Sequence, residues 1–228
     1  MKFGPPGSPT SVGNLCLPEM SLVEVSHAHL TVQTDLPGFA SQNMACDEEL
    51  ARRVLAGELP PTLRIYGWKR PAVTIGRRQS IEDLPADLPA GLETVRRPTG
   101  GGAVLHRTDE LTYALALPAG LVSARRLPGL IHRALREELV SGKWVVPEDL
   151  DLCVADPAGP FTFCFEAPVY GDLLYRGRKA AGSAVRAWRD GLLLQGSIQG
   201  LPVSFESLRL SLVRAVTVVH SFQPGGAG

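Results

Sequence analysis

The chain has 228 residues, 44% apolar and 20% charged, with 23 basic against 23 acidic side chains and no net charge. Such a length holds one large domain or two small ones with a substantial core, and the even balance excludes the basic footprint of a nucleic-acid binder. No run approaches the ~20 consecutive apolar residues of a membrane span, so neither nucleic acid nor membrane is an expected partner.

Residues 1–20 carry Pro5, Pro6, Pro9 and Pro18 among Gly and Ser, without the apolar stretch of a signal peptide. They are expected to form a loosely structured leader, followed by a single domain over 21–215 and a C-terminal tail over 216–228. A short strand is expected at 21–25. From Ala40 to Gly57, Met44, Ala51 and Leu55 fall on one helical face with Leu50 and Val54 alongside, and Pro60-Pro61 closes the segment. Strands follow at 63–68 and 72–76, joined by Lys69-Arg70-Pro71, and 80–91 reads as a loop or a short helix. A strand ending near Arg97 and another at 103–106 flank a run of glycines. Leu111–Leu117 alternates large and small residues, as a covered sheet strand does. Leu127, Ile131, Leu135 and Leu139 recur every fourth residue before Gly142, which predicts a helix over 127–141. Residues 145–163 show no clear element. A meander then follows, 172–176, 179–189 and 192–198, with turns at Gly177-Arg178 and Asp190-Gly191. Phe205, Leu208, Leu212 and Ala215 outline a last helix. This inventory is α+β: a central mixed sheet flanked by helices.

The stretch Arg96-Arg97-Pro98-Thr99-Gly100-Gly101-Gly102-Ala103-Val104-Leu105-His106 is the strongest local signal. Consecutive glycines are entropically costly and are tolerated where a group must approach the backbone or where positive φ is needed. An ordinary loop between strands is the competing reading. The run is not a Walker loop, because no Gly-Lys-Ser/Thr follows.

Four cysteines, at 16, 46, 153 and 164, form no C-x-x-C pair, so a structural metal site is not expected. The chain is large enough to need no disulfide, and reduced thiols in a cytoplasmic protein are expected. Cys164 is set apart by Lys179, fifteen residues on across a chain reversal. An ammonium beside a thiol favours the thiolate, the nucleophile of acyl transfer through a thioester. A buried cysteine acting as a small hydrophobe and a solvated lysine are the plain alternatives. Ala180-Ala181-Gly182-Ser183-Ala184 leaves room over the sheet for a ligand or for tight packing. His106 at a strand end reads as a donor or as a structural histidine, and the remaining histidines show no metal-like spacing. No Gly-x-Ser-x-Gly elbow supports a serine hydrolase.

Residues 96–106, with Glu110-Leu111-Thr112-Tyr113 after them, resemble the signature of the lipoate-protein ligase and octanoyltransferase superfamily. Biotin protein ligases are more distant relatives. Asn43–Glu48, Leu63–Gly76 and Gly177–Ala184 agree with the same pattern in the same order. The resemblance implies a biotin/lipoate-ligase-like catalytic domain with an acyl chain in a tunnel and the arginine-glycine loop over its carbonyl end. Cys164-Phe165-Glu166-Ala167-Pro168, with Asp172-Leu173 before Lys179, is similar to the LipM-type octanoyltransferases. It implies Cys164 as acyl acceptor and Lys179 as the group that lowers its pKa and orients the acyl carbonyl. Arg97, Gly100, Gly101, Gly102, His106, Gly182 and Ser183 would bind substrate. The implied donor is octanoyl-acyl carrier protein, and the acceptor a lysine of a lipoyl domain or of the glycine-cleavage H protein. No cofactor is needed, and a monomer is expected. A ligase using ATP and Mg is the alternative, and a non-catalytic binding member the third. The sequence departs from the LipM-type pattern at Gly102, where an arginine is usual, and at Leu194-Gln195-Gly196, which lacks a histidine.

Overall fold

The computed structural model describes residues 20–23, 30–86, 88–89, 91–156 and 162–221. An eight-stranded sheet runs in the order β1 (Met20–Val23), β2 (Leu30–Thr34), β3 (Thr62–Tyr66), β7 (Leu111–Pro118), β11 (Gly191–Ile198), β10 (Arg178–Trp188), β9 (Leu173–Tyr175), β8 (Leu150–Leu152). Among its described strands only β2 and β3 pair in parallel, so this sheet is mixed. A second, three-stranded sheet has β4 (Ala72–Ile75) between β5 (Glu93–Arg96) and β6 (Val104–His106). The expected α+β fold is found, with the strands of residues 72–106 set apart as a sheet of their own.

Period-two alternation places the layers. On β7, Ala114 and Ala116 face helix α1 (Ala40–Leu55) and pack with its Met44, Ala51 and Val54. The small alanines let the helix lie close. Tyr113, Leu115 and Leu117 face the other way, onto α2 (Leu127–Ser141) and α3 (Phe205–Ser221). Helix, sheet and helix pair thus form three layers, with β7 and β11 buried at the centre.

Several boundaries differ from the expectation. The helix expected to fade near Ala215 runs on to Ser221, so the tail proposed from 216 begins inside it. Val216 and Val219 continue the three- and four-residue spacing from Leu212 and Ala215 and are buried. The leader falls outside the described residues except for Met20, which opens β1. Within 145–163, β8 was not legible, because three residues pairing with β9 carry no periodicity. Cys46, on α1, is disulfide-bonded, against the expectation of reduced thiols. Cys153 and Cys164 are free thiols. No described helix is long and apolar enough to cross a membrane.

Candidate active site

The glycine run joins β5 to β6 within the second sheet and is tied to β11 of the first through Thr99 and Gln195. Arg97 follows β5 and is buried (6% exposed), where a guanidinium must find acceptors. It donates from Nη2 to the carbonyls of Gly100 (2.5 Å) and Gly102 (2.7 Å), and from Nη1 to Thr74 of β4 (3.2 Å to its carbonyl). Arg97 is therefore the internal brace of the loop, while Arg96 points outward to the carbonyls of Gly76 and Gln79. Burial pushes the Arg97 pKa down, and negative charge on Cys164 opposes that. Gly101 has φ +88°, and a Cβ there would stand 3.0 Å from Arg97 Nη2 and 3.7 Å from Cys164 Sγ. Positive φ and the close approach of the Arg97 guanidinium both favour glycine at this position, with the thiol at ordinary contact distance. Cys164 is tied to the same strand: Ala103 donates its N–H to Thr162, and Cys164 donates its own to Ala103 (2.7 Å).

Lys179 arrives from the meander. Arg176 (φ 49°) and Gly177 (φ 74°) make a two-residue turn of the primed kind between β9 and β10. The turn sits one residue earlier than the sequence suggested. A register shift between Lys179 and Ala181 then re-aims the strand, so Lys179 and Gly182, three apart, lie against each other. The Lys179 side chain is 1% exposed and its Nζ lies 2.6 Å from Asp172 Oδ2 and 3.9 Å from Cys164 Sγ. Asp172 also accepts the N–H of Val169. The outcome is a thiol and an ammonium brought together across fifteen residues, with a buried carboxylate holding the ammonium in place.

Gly182 makes the space for this. A Cβ on it would stand 2.7 Å from Lys179 Nζ and 3.3 Å from Asp172 Oδ1. Gly182→Ala is expected to push the ammonium off the thiol and slow acylation of Cys164 by ~10²-fold, the usual cost of misplacing a reacting group by about an ångström. Single-turnover kinetics by mass spectrometry would check it.

A cavity opens between the two sheets. Cys164, Lys179, Arg97, Gly182, Ser183 and His106 line it, with Met44, Tyr66, Val104, Ala184 and Gly196 as its apolar walls. His106, 4% exposed, is held on both ring nitrogens. It stacks on Trp68 at 3.8 Å, and its Nδ1 lies 2.6 Å from Glu110 Oε1 and its Nε2 2.8 Å from Thr74 Oγ1. The Glu110 carboxylate only accepts, so Nδ1–H donates to it, and in the neutral ring Nε2 accepts the hydroxyl of Thr74, which itself accepts from Arg97. The histidine thus supports the brace at second hand.

Three contributors had little signal in the sequence. Asp172 was visible only as part of a pattern. Gln195, in the place of the missing histidine, accepts from Thr99 Oγ1 (2.7 Å) and donates to Asp47 (2.6 Å). It ties the glycine loop to a buried network in which Arg64 of β3 bridges Asp47 and Asp35, both at 2.6 Å. Asp47 is fully buried, and desolvation raises its pKa against the pull of Arg64. His132, a lone histidine on α2, donates Nδ1–H to the carbonyl of Gly171 (2.7 Å) and accepts from Ser183 Oγ at Nε2 (3.2 Å). It fixes both the residue before Asp172 and a wall of the cavity. Burial pushes its pKa below the ordinary 6.5. A histidine kept neutral by the fold takes up its proton more readily once unfolded. Stability is therefore present above the unfolded pKa and is lost as pH falls through ~6.5. Half-buried His220 shifts the same way. Denaturant midpoints are expected to drop from pH ~7.5 to ~5.5, and His132→Gln should flatten the slope.

Fold and site together define a mixed-sheet α+β domain whose centre is a cysteine–lysine pair beneath an arginine-braced glycine loop. A model of the lipoyl protein ligase A/B catalytic domain matches residues 40–209, and the chain belongs to that family. The octanoyltransferase LipM of Symbiobacterium thermophilum is 41% identical over 187 residues, 74% of this chain and 65% of that protein. The octanoyltransferase LipM of Geobacillus kaustophilus is 36% identical over 167 residues, 68% of this chain and 60% of its own length. The chain thus spans somewhat less than two thirds of these relatives. Among solved structures, lipoate-protein ligase A bound with ATP superposes with TM-score 0.63 at 19% identity, covering 82% of this chain and 84% of that one. A bi-partite lipoate protein ligase from Thermoplasma acidophilum gives TM-score 0.56 at 18% identity and 82% coverage of both chains. At these identities the structures establish the fold.

Proposed function

We propose that the domain is an octanoyltransferase of protein lipoylation. The observation that carries this reading is Lys179 Nζ 3.9 Å from Cys164 Sγ at the mouth of the cavity, in a chain similar to LipM octanoyltransferases. The Cys164 thiolate attacks the thioester carbonyl of octanoyl-acyl carrier protein. A tetrahedral oxyanion forms, the bond to the carrier sulfur breaks, and the carrier leaves as a thiolate that takes a proton from water. The amine of a lipoyl-domain or H-protein lysine then attacks the Cys164 thioester, loses a proton, and departs as the amide while the Cys164 thiolate is restored. Lys179 and the amides of the glycine loop stabilise the two oxyanions. Those amides are free for it in one respect: among the described residues, Gly100–Gly102 donate to no backbone carbonyl. Arg97 and His106 act through the loop, and Ser183 shapes the acyl wall.

The route uses no cofactor, and a monomer in the cytoplasm suffices for it. The test is transfer from octanoyl-acyl carrier protein to a lipoyl domain, followed by mass spectrometry with and without ATP. Transfer without ATP supports the reading. Modification that needs ATP and free octanoate, and survives Cys164→Ala, would establish a ligase instead.

A further inference from the structure

Resting on the transferase reading, we propose that a second cleft receives the phosphopantetheine arm of the donor, with Arg178 binding its phosphate. Two cavities meet at Phe165 and Lys179, which line both. The inner one holds Cys164 among largely apolar walls, and the outer one is larger. Leu105, Phe163 and Pro168 give it an apolar floor, Gln199 an amide, and Arg107 and Arg178 a basic rim.

A thioester presents its two halves on opposite sides of the carbonyl. When the octanoyl half lies in the inner cavity and the carbonyl carbon reaches Cys164, the sulfur and the arm behind it must leave outward past Lys179 and Phe165. The outer cleft begins there. Its lining suits a slender arm with methylene and gem-dimethyl groups, two amides and a terminal phosphate. The exposed surface of Leu105, 42% accessible, offers apolar contact, and Gln199, whose Nε2 is held by Leu105 and Glu110, can accept an amide N–H at Oε1.

The charges single out one anchor. Lys179 is buried and paired with Asp172, and Arg107 is paired with Asp109 at 2.8 Å. Glu166 adds a negative charge to the rim. Arg178 is exposed and, among the described residues, makes no ion pair. It is thus the rim cation available to an incoming phosphate, and guanidinium–phosphate pairs are among the stronger charge-assisted hydrogen bonds.

The experiment measures kcat/KM for Cys164 acylation from octanoyl-phosphopantetheine and from octanoyl-pantetheine, which differ only in the phosphate. The wild-type protein is expected to prefer the phosphorylated donor by ~10-fold, consistent with one hydrogen-bonded ion pair. Arg178→Ala should bring that ratio close to one, and Arg178→Lys should restore part of it. Octanoyl-acyl carrier protein should follow the phosphorylated donor. A wild-type ratio near one, or a preference that survives Arg178→Ala, overturns the assignment while leaving the transferase intact. If neither thioester acylates Cys164, the transferase reading fails and the assignment with it. Acylation from free octanoate with ATP that Arg178→Ala abolishes would give the cleft to a nucleotide instead.

Discussion

Cys164→Ala is expected to abolish the covalent octanoyl adduct and to lower transfer by at least ~10³-fold, as loss of a catalytic nucleophile does. Cys164 lies in a turn, half-buried, and its backbone N–H is the atom tied to Ala103. Alanine keeps that bond and leaves the fold intact, so the thermal midpoint should stay within a few degrees. Rate and stability are then separated in one variant. Cys164→Ser should be nearly as inactive, because a serine hydroxyl with no general base beside it is a poor nucleophile.

Lys179→Met is the second large effect, and it acts on rate and stability together. Removing the ammonium takes away a preorganised positive charge at the developing oxyanion, expected to cost ~10²–10³ in the acylation rate. It also strands Asp172, whose side chain is 4% exposed, without its cation. Breaking a buried ion pair from one side costs about 3–5 kcal/mol, seen as a lowered denaturant midpoint. The double variant Lys179→Met with Asp172→Leu removes the stranded charge. It should regain most of the stability and none of the rate. If the double variant regains activity, the lysine acts only by balancing Asp172 and has no part in the chemistry.

The long elements were legible because each carries its own period. The residues that recur every fourth position from Leu127 to Leu139 gave α2 to the residue. Alternation gave β7, whose alanines and leucines fall on opposite faces of the sheet. Three-residue pieces that exist only through a distant partner were not legible. β8 pairs with β9 across more than twenty residues of chain, and the separation of β4, β5 and β6 into their own sheet has no local mark.

The site divides the same way. The glycine loop and the Cys164–Lys179 pair were visible as residue types that only chemistry or special backbone geometry explains. What the side chains do to one another was not. Arg97 was expected to orient the loop and the acyl carbonyl, and the bonds by which it braces the loop, to the carbonyls of Gly100 and Gly102, had no mark in the sequence. His106 was expected to help orient the loop and the acyl carbonyl, and it lines the cavity while bonded to Glu110 and Thr74. His132 looked like a lone helical histidine, and its contacts to Gly171 and Ser183 depend on how α2 crosses the sheet. The departure at Gln195 proved to be a working link between Thr99 and Asp47.

The most direct test of the central claim is intact-protein mass after brief mixing with octanoyl-acyl carrier protein, with no ATP present, followed by peptide mapping. One octanoyl group is expected, on Cys164, lost to hydroxylamine and chased onto a lipoyl-domain lysine. No adduct, or an adduct that maps to a residue other than Cys164, would contradict it.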